Sequence, residues 1–260
     1  MSTRETSKIN YLLATQPSGV VLLSSWLVDN GYSPELQKRY RKSGWLTSIG
    51  TGAMIRAGDE VDYLGAIHGL QRQLQMSIHP GGKTALLMQG KSHSIALGVS
   101  YAVLFGGKDE VLPSWFKMYD WNISIKYYPS SFLPADLGLR EFKHKGFNVR
   151  VSHPARAIME CLYLAPDKFD LEECYKIMEG LNTLHPDLVQ SLLESCSSVK
   201  VKRLFLYMAE KAGHKWFDKM NKEKIDIGSG KRSVVAGGVY IPKYKITVPA
   251  EMEKHDRPEI

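Results

Sequence analysis

The sequence predicts an α+β fold: a small helical module closed by a hairpin over residues 1–58, then a larger mixed α/β region over residues 59–260. Three observations carry this prediction. Within the first sixty residues, three short amphipathic segments bounded by cap and turn residues precede a glycine-tipped pair of strand-like segments. After Gly58, helical stripes alternate with short apolar runs of strand character. The 260 residues, 43% hydrophobic and 23% charged, have ordinary globular composition and length enough for two domains.

The elements follow in order. Ile9, Leu12 and Leu13 fall at helical spacing, and Pro17 with Gly19 ends that segment. Val20–Leu23 is a short apolar lead-in. Ser24 is placed to cap a second helix through Trp26, Leu27 and Val28, which stops at Asn30-Gly31. Ser33 caps a third helix, with Pro34 at the first helical position and Glu35 in the first turn. This helix carries Leu36 to Lys42 and ends at Ser43-Gly44. Trp45, Leu46 and Ile49 form a strand, Gly50-Thr51-Gly52 turns, and Ala53–Arg56 returns. Three helices and a hairpin in this order make a winged helix-turn-helix, in which the last helix enters the DNA major groove. Beyond it, the sequence predicts helices over 60–75, 83–88, 171–181, 186–196 and 201–212, and another from Pro154. Strands are expected over 98–105, 121–128 and 147–151, and a last hairpin runs through Gly237-Gly238 into 240–248.

Charge is distributed unevenly. Lys plus Arg is 34 against 27 Asp plus Glu, a net +7. Residues 33–56 hold five basic residues and one acid, residues 57–199 hold 13 and 16, and residues 200–245 hold 12 and four. A localised basic patch is the footprint of polyanion binding. On the third helix, Leu36 and Tyr40 are spaced to face the core, which sends Lys38, Arg41 and Lys42 outward, with Gln37 and Arg39 on the flanks. The cations at 38, 39, 41 and 42 suit phosphates, and Gln37 with one arginine suits base edges. Ser33 at the helix start and Thr51 and Arg56 on the wing complete the expected interface with double-stranded DNA. Lys231, Arg232, Lys243 and Lys245 form a second candidate basic surface, for flanking DNA or an acidic partner.

Other motifs point to chemistry only weakly. Gly81-Gly82-Lys83-Thr84 lacks the glycine five positions earlier that a phosphate-binding loop needs; Ser77 stands there, and Pro80 removes a backbone donor. It reads as a helix start. Glu141-Phe142-Lys143 has the form used by metal-dependent nucleases, with Asp136 or Asp120 as the second acid. A nuclease with an appended DNA-reading module is therefore the alternative reading, and a winged helix serving protein contacts is a third. The eight histidines show no metal-ligand spacing, and no G-x-S-x-G occurs. His153 before Pro154 reads as a cap. Cys161, Cys174 and Cys196 form no C-x-x-C pair, and the first two sit on apolar helix stripes, which fits a reducing cytoplasm. The polar start at 1–7 predicts no secretory signal, and no apolar run reaches the ~20 residues of a membrane span. No catalytic residue, cofactor or metal is expected.

Several segments together resemble a known family, the AbiEi antitoxins of type IV toxin–antitoxin systems. The winged-helix segments are Gly31-Tyr32-Ser33, Leu36, Arg41-Lys42-Ser43-Gly44-Trp45-Leu46 and Gly50-Thr51-Gly52-Ala53. Further matches are His153-Pro154-Ala155-Arg156-Ala157-Ile158, the run from Asp226 to Arg232, Gly237-Gly238, Tyr244 and Ile246-Thr247-Val248-Pro249. Met54 departs from the pattern, where an aromatic is expected on the wing. The resemblance implies a bacterial transcriptional repressor of a phage-defence (abortive infection) system that binds inverted repeats in its own promoter. It also implies a carboxy-terminal domain that counters a nucleotidyltransferase-like toxin without a stable complex.

Overall fold

The computed structural model describes residues 7–91 and 101–254. In chain order the elements are α1 (Lys8–Thr15), β1 (Leu22–Leu23), α2 (Ser24–Asp29), α3 (Pro34–Lys42), β2 (Leu46–Gly50), β3 (Ala53–Arg56), α4 (Tyr63–Gln73), β4 (His79–Pro80) and α5 (Gly82–Met88). There follow β5 (Tyr101–Gly106), α6 (Ser114–Met118), β6 (Ser124–Pro129), β7 (Leu139–His144), β8 (Phe147–Ser152), α7 (Pro154–Leu164), α8 (Leu171–Glu179), α9 (Pro186–Ser195) and α10 (Val199–Lys211). The last are α11 (Lys215–Asp218), β9 (Arg232–Ser233), β10 (Val239–Ile241), β11 (Ile246–Val248) and α12 (Ala250–Lys254). This is the α+β mixture that the sequence predicts. The expected strand over 98–105 is seen as β5; its first three residues lie outside the described ones.

The chain forms two compact units, each assembled from three stretches. The first takes residues 1–79, 105–129 and 141–151; the second takes 80–104, 130–140 and 152–260. The sequence reading closes the first domain at residue 58, whereas this unit continues through α4. Two glycines explain why. A side chain at Gly65 would collide with the Gly19 carbonyl oxygen, and one at Gly69 would come within 2.8 Å of the Val21 oxygen. Gln73 adds hydrogen bonds to the Leu23 N–H and the Val21 carbonyl, both 2.7 Å. α4 thus lies against the strand that opens the winged helix, at a distance only glycine permits.

In the first unit, β1, β3 and β2 form an antiparallel sheet in that order, with Leu22 opposite Met54 and Leu46 opposite Arg56. Leu12, Leu27, Tyr40, Leu46 and Met54 are buried in its core. Asp62 caps α4 by accepting from the Leu64 and Gly65 N–H groups at 3.0 and 3.1 Å. Its carboxylate also meets His144 Nε2 at 2.7 Å and Lys145 Nζ at 3.0 Å. Burial pushes the Asp62 pKa up, but bonds from His144, Lys145 and the Gly65 N–H outweigh it and hold the carboxyl below its ordinary value. A depressed folded pKa gives stability that is present above the unfolded carboxylate value of about 3.9 and is lost as pH falls through the folded one. Asp62→Asn keeps a cap oxygen but not the charge. Its unfolding midpoint is expected to lie below the parent's at pH 6–7 and to converge with it below about pH 4; a gap that persists undiminished in acid contradicts this account.

The second unit centres on α7, which packs on α5, α8, α9 and α10. Ala155, Ile158, Met159 and Leu162 are buried there, as are Leu204, Phe205 and Met208 of α10. β10, β11 and β9 form a small sheet in that order, β11 antiparallel to β10 and parallel to β9. In the first unit, β7 pairs with β8.

Candidate nucleic-acid interface

The third helix forms where its caps dictate. The Ser33 hydroxyl accepts from the Leu36 N–H at 3.2 Å, Pro34 occupies the first turn, and Arg39, Arg41 and Lys42 sit in the last turn, where cations suit the helix dipole. α2 differs from the expectation. Its cap is Leu23, not Ser24, and the Ser24 hydroxyl instead donates to Gln37 Oε1 at 2.6 Å.

That bond belongs to a larger correction. Gln37, expected at a base edge, is 1% exposed. Its amide donates to the Ser24 and Tyr32 carbonyls at 3.2 and 2.8 Å while its oxygen accepts from Ser24. Leu36 is only half-buried, so the inward stripe of α3 runs through Gln37 and Tyr40 rather than Leu36 and Tyr40. A glutamine tolerates this position because its donors and acceptor are matched by buried partners. Arg56, expected to reach DNA from the wing, is also engaged. Its guanidinium bonds the Leu13 and Gln16 carbonyls and the Ser18 hydroxyl, closing the carboxy-terminal end of α1.

The remaining expected residues stand outward. Ser33, Lys38, Arg39, Arg41, Lys42 and Thr51 are all exposed. Between α3 and the wing lies a concavity of about 240 Å³ in which Arg41 faces Ser48, Thr51, Gly52 and Met54. Arg41 Nη1 approaches Met54 Sδ at 3.1 Å. Met54, marked by the sequence only as a departure on the wing, is the residue that touches Arg41. The wing is supported from a segment distant in sequence. α6 packs on β2, and a side chain at Gly50 (φ 155°) would come within 2.7 Å of Trp115 Cβ. No local pattern marks that approach.

The second basic surface also gathers. Lys231, Arg232, Lys243 and Lys245 are exposed on or beside the β10-β11-β9 sheet. Lys243 is paired with Glu210, whose carboxyl is pushed up by burial but drawn lower overall by Lys243 and Tyr244. Lys231 lies over the Tyr240 ring at 4.9 Å. The glycine-rich stretch from Asp226 to Arg232 does not present a cradle for phosphate: its carbonyls turn inward. Arg203 is fully buried and donates to the oxygens of Ile227, Gly228, Ser229 and Lys245 at 2.8–3.3 Å.

The weaker motifs resolve as packing. Gly82 opens α5, and its N–H donates to Glu160 at 2.8 Å, while the Thr84 hydroxyl accepts from the Val103 N–H. A carboxylate therefore occupies the place a phosphate would take. Glu141 pairs with Arg72 at 2.8 Å on an exposed face, and Asp120 accepts from the Asn122 N–H at 2.9 Å. Asp136 falls in the second unit. Among the described residues, no three His, Cys, Asp or Glu side chains gather as a metal site requires. His153 caps α7 through the Ala155 N–H, and burial pulls its pKa down. The three cysteines are buried as free thiols, their pKa values raised by burial. Among the described residues no helix is long and apolar enough to cross a membrane.

Comparison with known proteins covers nearly the whole chain. The family model described as "Transcriptional regulator, AbiEi antitoxin N-terminal domain" matches residues 5–97. The model described as "Transcriptional regulator, AbiEi antitoxin, Type IV TA system" matches residues 100–249. Among solved structures, the crystal structure of the RV2827C protein from Mycobacterium tuberculosis aligns over 92% of this chain and 88% of its own. The TM-score is 0.55 at 15% identity, which is a likeness of fold. A search of curated proteins returned no match.

Proposed function

The chain belongs to the AbiEi family of type IV toxin–antitoxin transcriptional regulators, and we propose that it represses its own promoter by placing α3 in the major groove. Residues 1–58 act as the reading module and residues 59–260 carry the antitoxin task. One protomer occupies each half of an inverted repeat, in the bacterial cytoplasm, without catalytic activity of its own. The carboxy-terminal region opposes a nucleotidyltransferase-like toxin by function rather than by a stable complex.

The observation that carries the reading is the face of α3. Lys38, Arg39, Arg41 and Lys42 all point outward, in the last turn and a half of a helix flanked by a wing. Cations so placed neutralise phosphates and release counterions. With Gln37 buried, direct base reading falls to one arginine of this face, Arg39, whose fork matches guanine.

The test is selection of bound duplexes from a random pool, followed by competition against scrambled sequence over a range of salt. An inverted repeat is expected, bound about 10³-fold or more above scrambled DNA. Weak binding indifferent to salt and sequence overturns the DNA reading in favour of a protein-contact module. Co-expression with the toxin is expected to rescue growth without co-purification; recovery of a stoichiometric complex overturns that part.

A further inference from the structure

We propose that the cleft between α3 and the wing is a seat for one backbone phosphodiester, gripped by the Arg41 guanidinium and the Thr51 hydroxyl. The inference rests on α3 and the wing forming a DNA interface, and it names the group that passes between them. A duplex with α3 in its major groove and the wing at the neighbouring minor groove has one sugar–phosphate strand separating the two. That strand crosses the concavity where Arg41 stands.

The chemistry of the lining suits an anion. Of the described residues around the cleft, Arg41 alone is charged; the others are small, polar or apolar, and no carboxylate is among them. The guanidinium is steadied by Met54 Sδ at 3.1 Å, and Met54 itself is buried in the sheet opposite Leu22. A thioether is a weak acceptor, so this contact orients the fork without neutralising it and leaves further N–H donors for charge-assisted bonds. Thr51, exposed at the wing tip, faces the same space. Other hydroxyls there are committed: Ser24 donates to Gln37, and Ser48 to the Gly50 carbonyl at 3.2 Å. Lys38, Arg39 and Lys42 do not line the cleft. Arg41 is therefore held in place at the cleft by its contact with Met54, and an arginine-to-lysine change there is not conservative.

The experiment is a methylphosphonate scan of the selected duplex, which neutralises one phosphate at a time, read with the full chain and with Arg41→Ala. In the parent, one position at the border of the half-site and the flanking minor groove is expected to cost about eightfold in affinity at 0.1 M salt. With Arg41→Ala that penalty disappears, while penalties at other phosphates persist. Lys38→Ala leaves the border penalty intact. Thr51→Val, on the wing, provides a second variant and reduces the penalty at the same position. A penalty that Arg41→Ala leaves unchanged, or that is spread evenly over many phosphates, overturns the seat while leaving DNA binding standing. Failure of the unmodified duplex to bind the parent overturns the DNA reading itself.

Discussion

Glu160→Ala is expected to destabilise the second unit by about 3–5 kcal/mol, the usual cost of breaking a buried ion pair from one side. The carboxylate has no solvent exposure. It accepts from Arg156 Nε at 2.8 Å, from the Ser152 hydroxyl at 2.9 and 2.8 Å, and from the Gly82 N–H at 2.8 Å. Arg156 Nη1 donates to the Pro134 and Leu137 carbonyls at 2.7 and 2.6 Å. Truncation at 160 therefore strands a buried guanidinium, a hydroxyl and a backbone N–H at once, and α7 loses its tie to the start of α5. Denaturant titration should show a lower midpoint with little change in slope. Pairing the change with Arg156→Met should restore part of the loss, since the stranded charge is then gone. A single mutant within about 1 kcal/mol of the parent, or a double mutant that loses the sum of both, contradicts this account.

Glu160 also shows what a sequence conceals. Local chemistry was legible: Ser33 and Pro34 open α3, and Gly50-Thr51-Gly52 turns the wing, because caps and turns are decided within four residues. α7 to α10 followed from apolar spacing, whereas the carboxy-terminal hairpin turns at 242–245, between Ile241 and Ile246, rather than at Gly237-Gly238. Buried charge was not legible. Arg156, Glu160 and Arg203 look like surface residues, and only partners 4–78 positions away show why each is enclosed. Arg56 reads as a wing cation until the open carbonyls of α1 are placed beside it. Lys38, Arg41 and Lys42 are exposed on α3, yet its inward stripe is shifted by one residue, from Leu36 to Gln37. Spacing identifies apolar stripes and has no means of finding a glutamine whose amide is matched by two carbonyls and a hydroxyl. β7 holds no buried residue, only half-buried and exposed ones, so no apolar run marks it as a strand. α6, at five residues, is too short to leave a periodic signal.

The division within α3 leads to a prediction that separates its two faces. Four or five phosphates contacted per protomer give a slope of log K on log salt of about −3.6 to −4.5, at about −0.9 per contact. Lys38→Ala with Arg41→Ala removes two contacts, so the slope should move to about −1.8 to −2.7. At 0.1 M salt each lost contact is about eightfold, and the pair therefore about 60-fold in affinity. Both side chains are exposed on a helix, and alanine is a good helix former, so the thermal midpoint should stay close to the parent's. Gln37→Leu should do the opposite. It leaves the Ser24 and Tyr32 carbonyls without their donor, costing about 1–3 kcal/mol in stability, while the cations outside are untouched and the salt slope is unchanged. A double mutant that binds with the parent's slope removes α3 from the interface. A Gln37→Leu protein that keeps its stability but loses discrimination among operators returns Gln37 to the base edge and overturns the inward register of the helix.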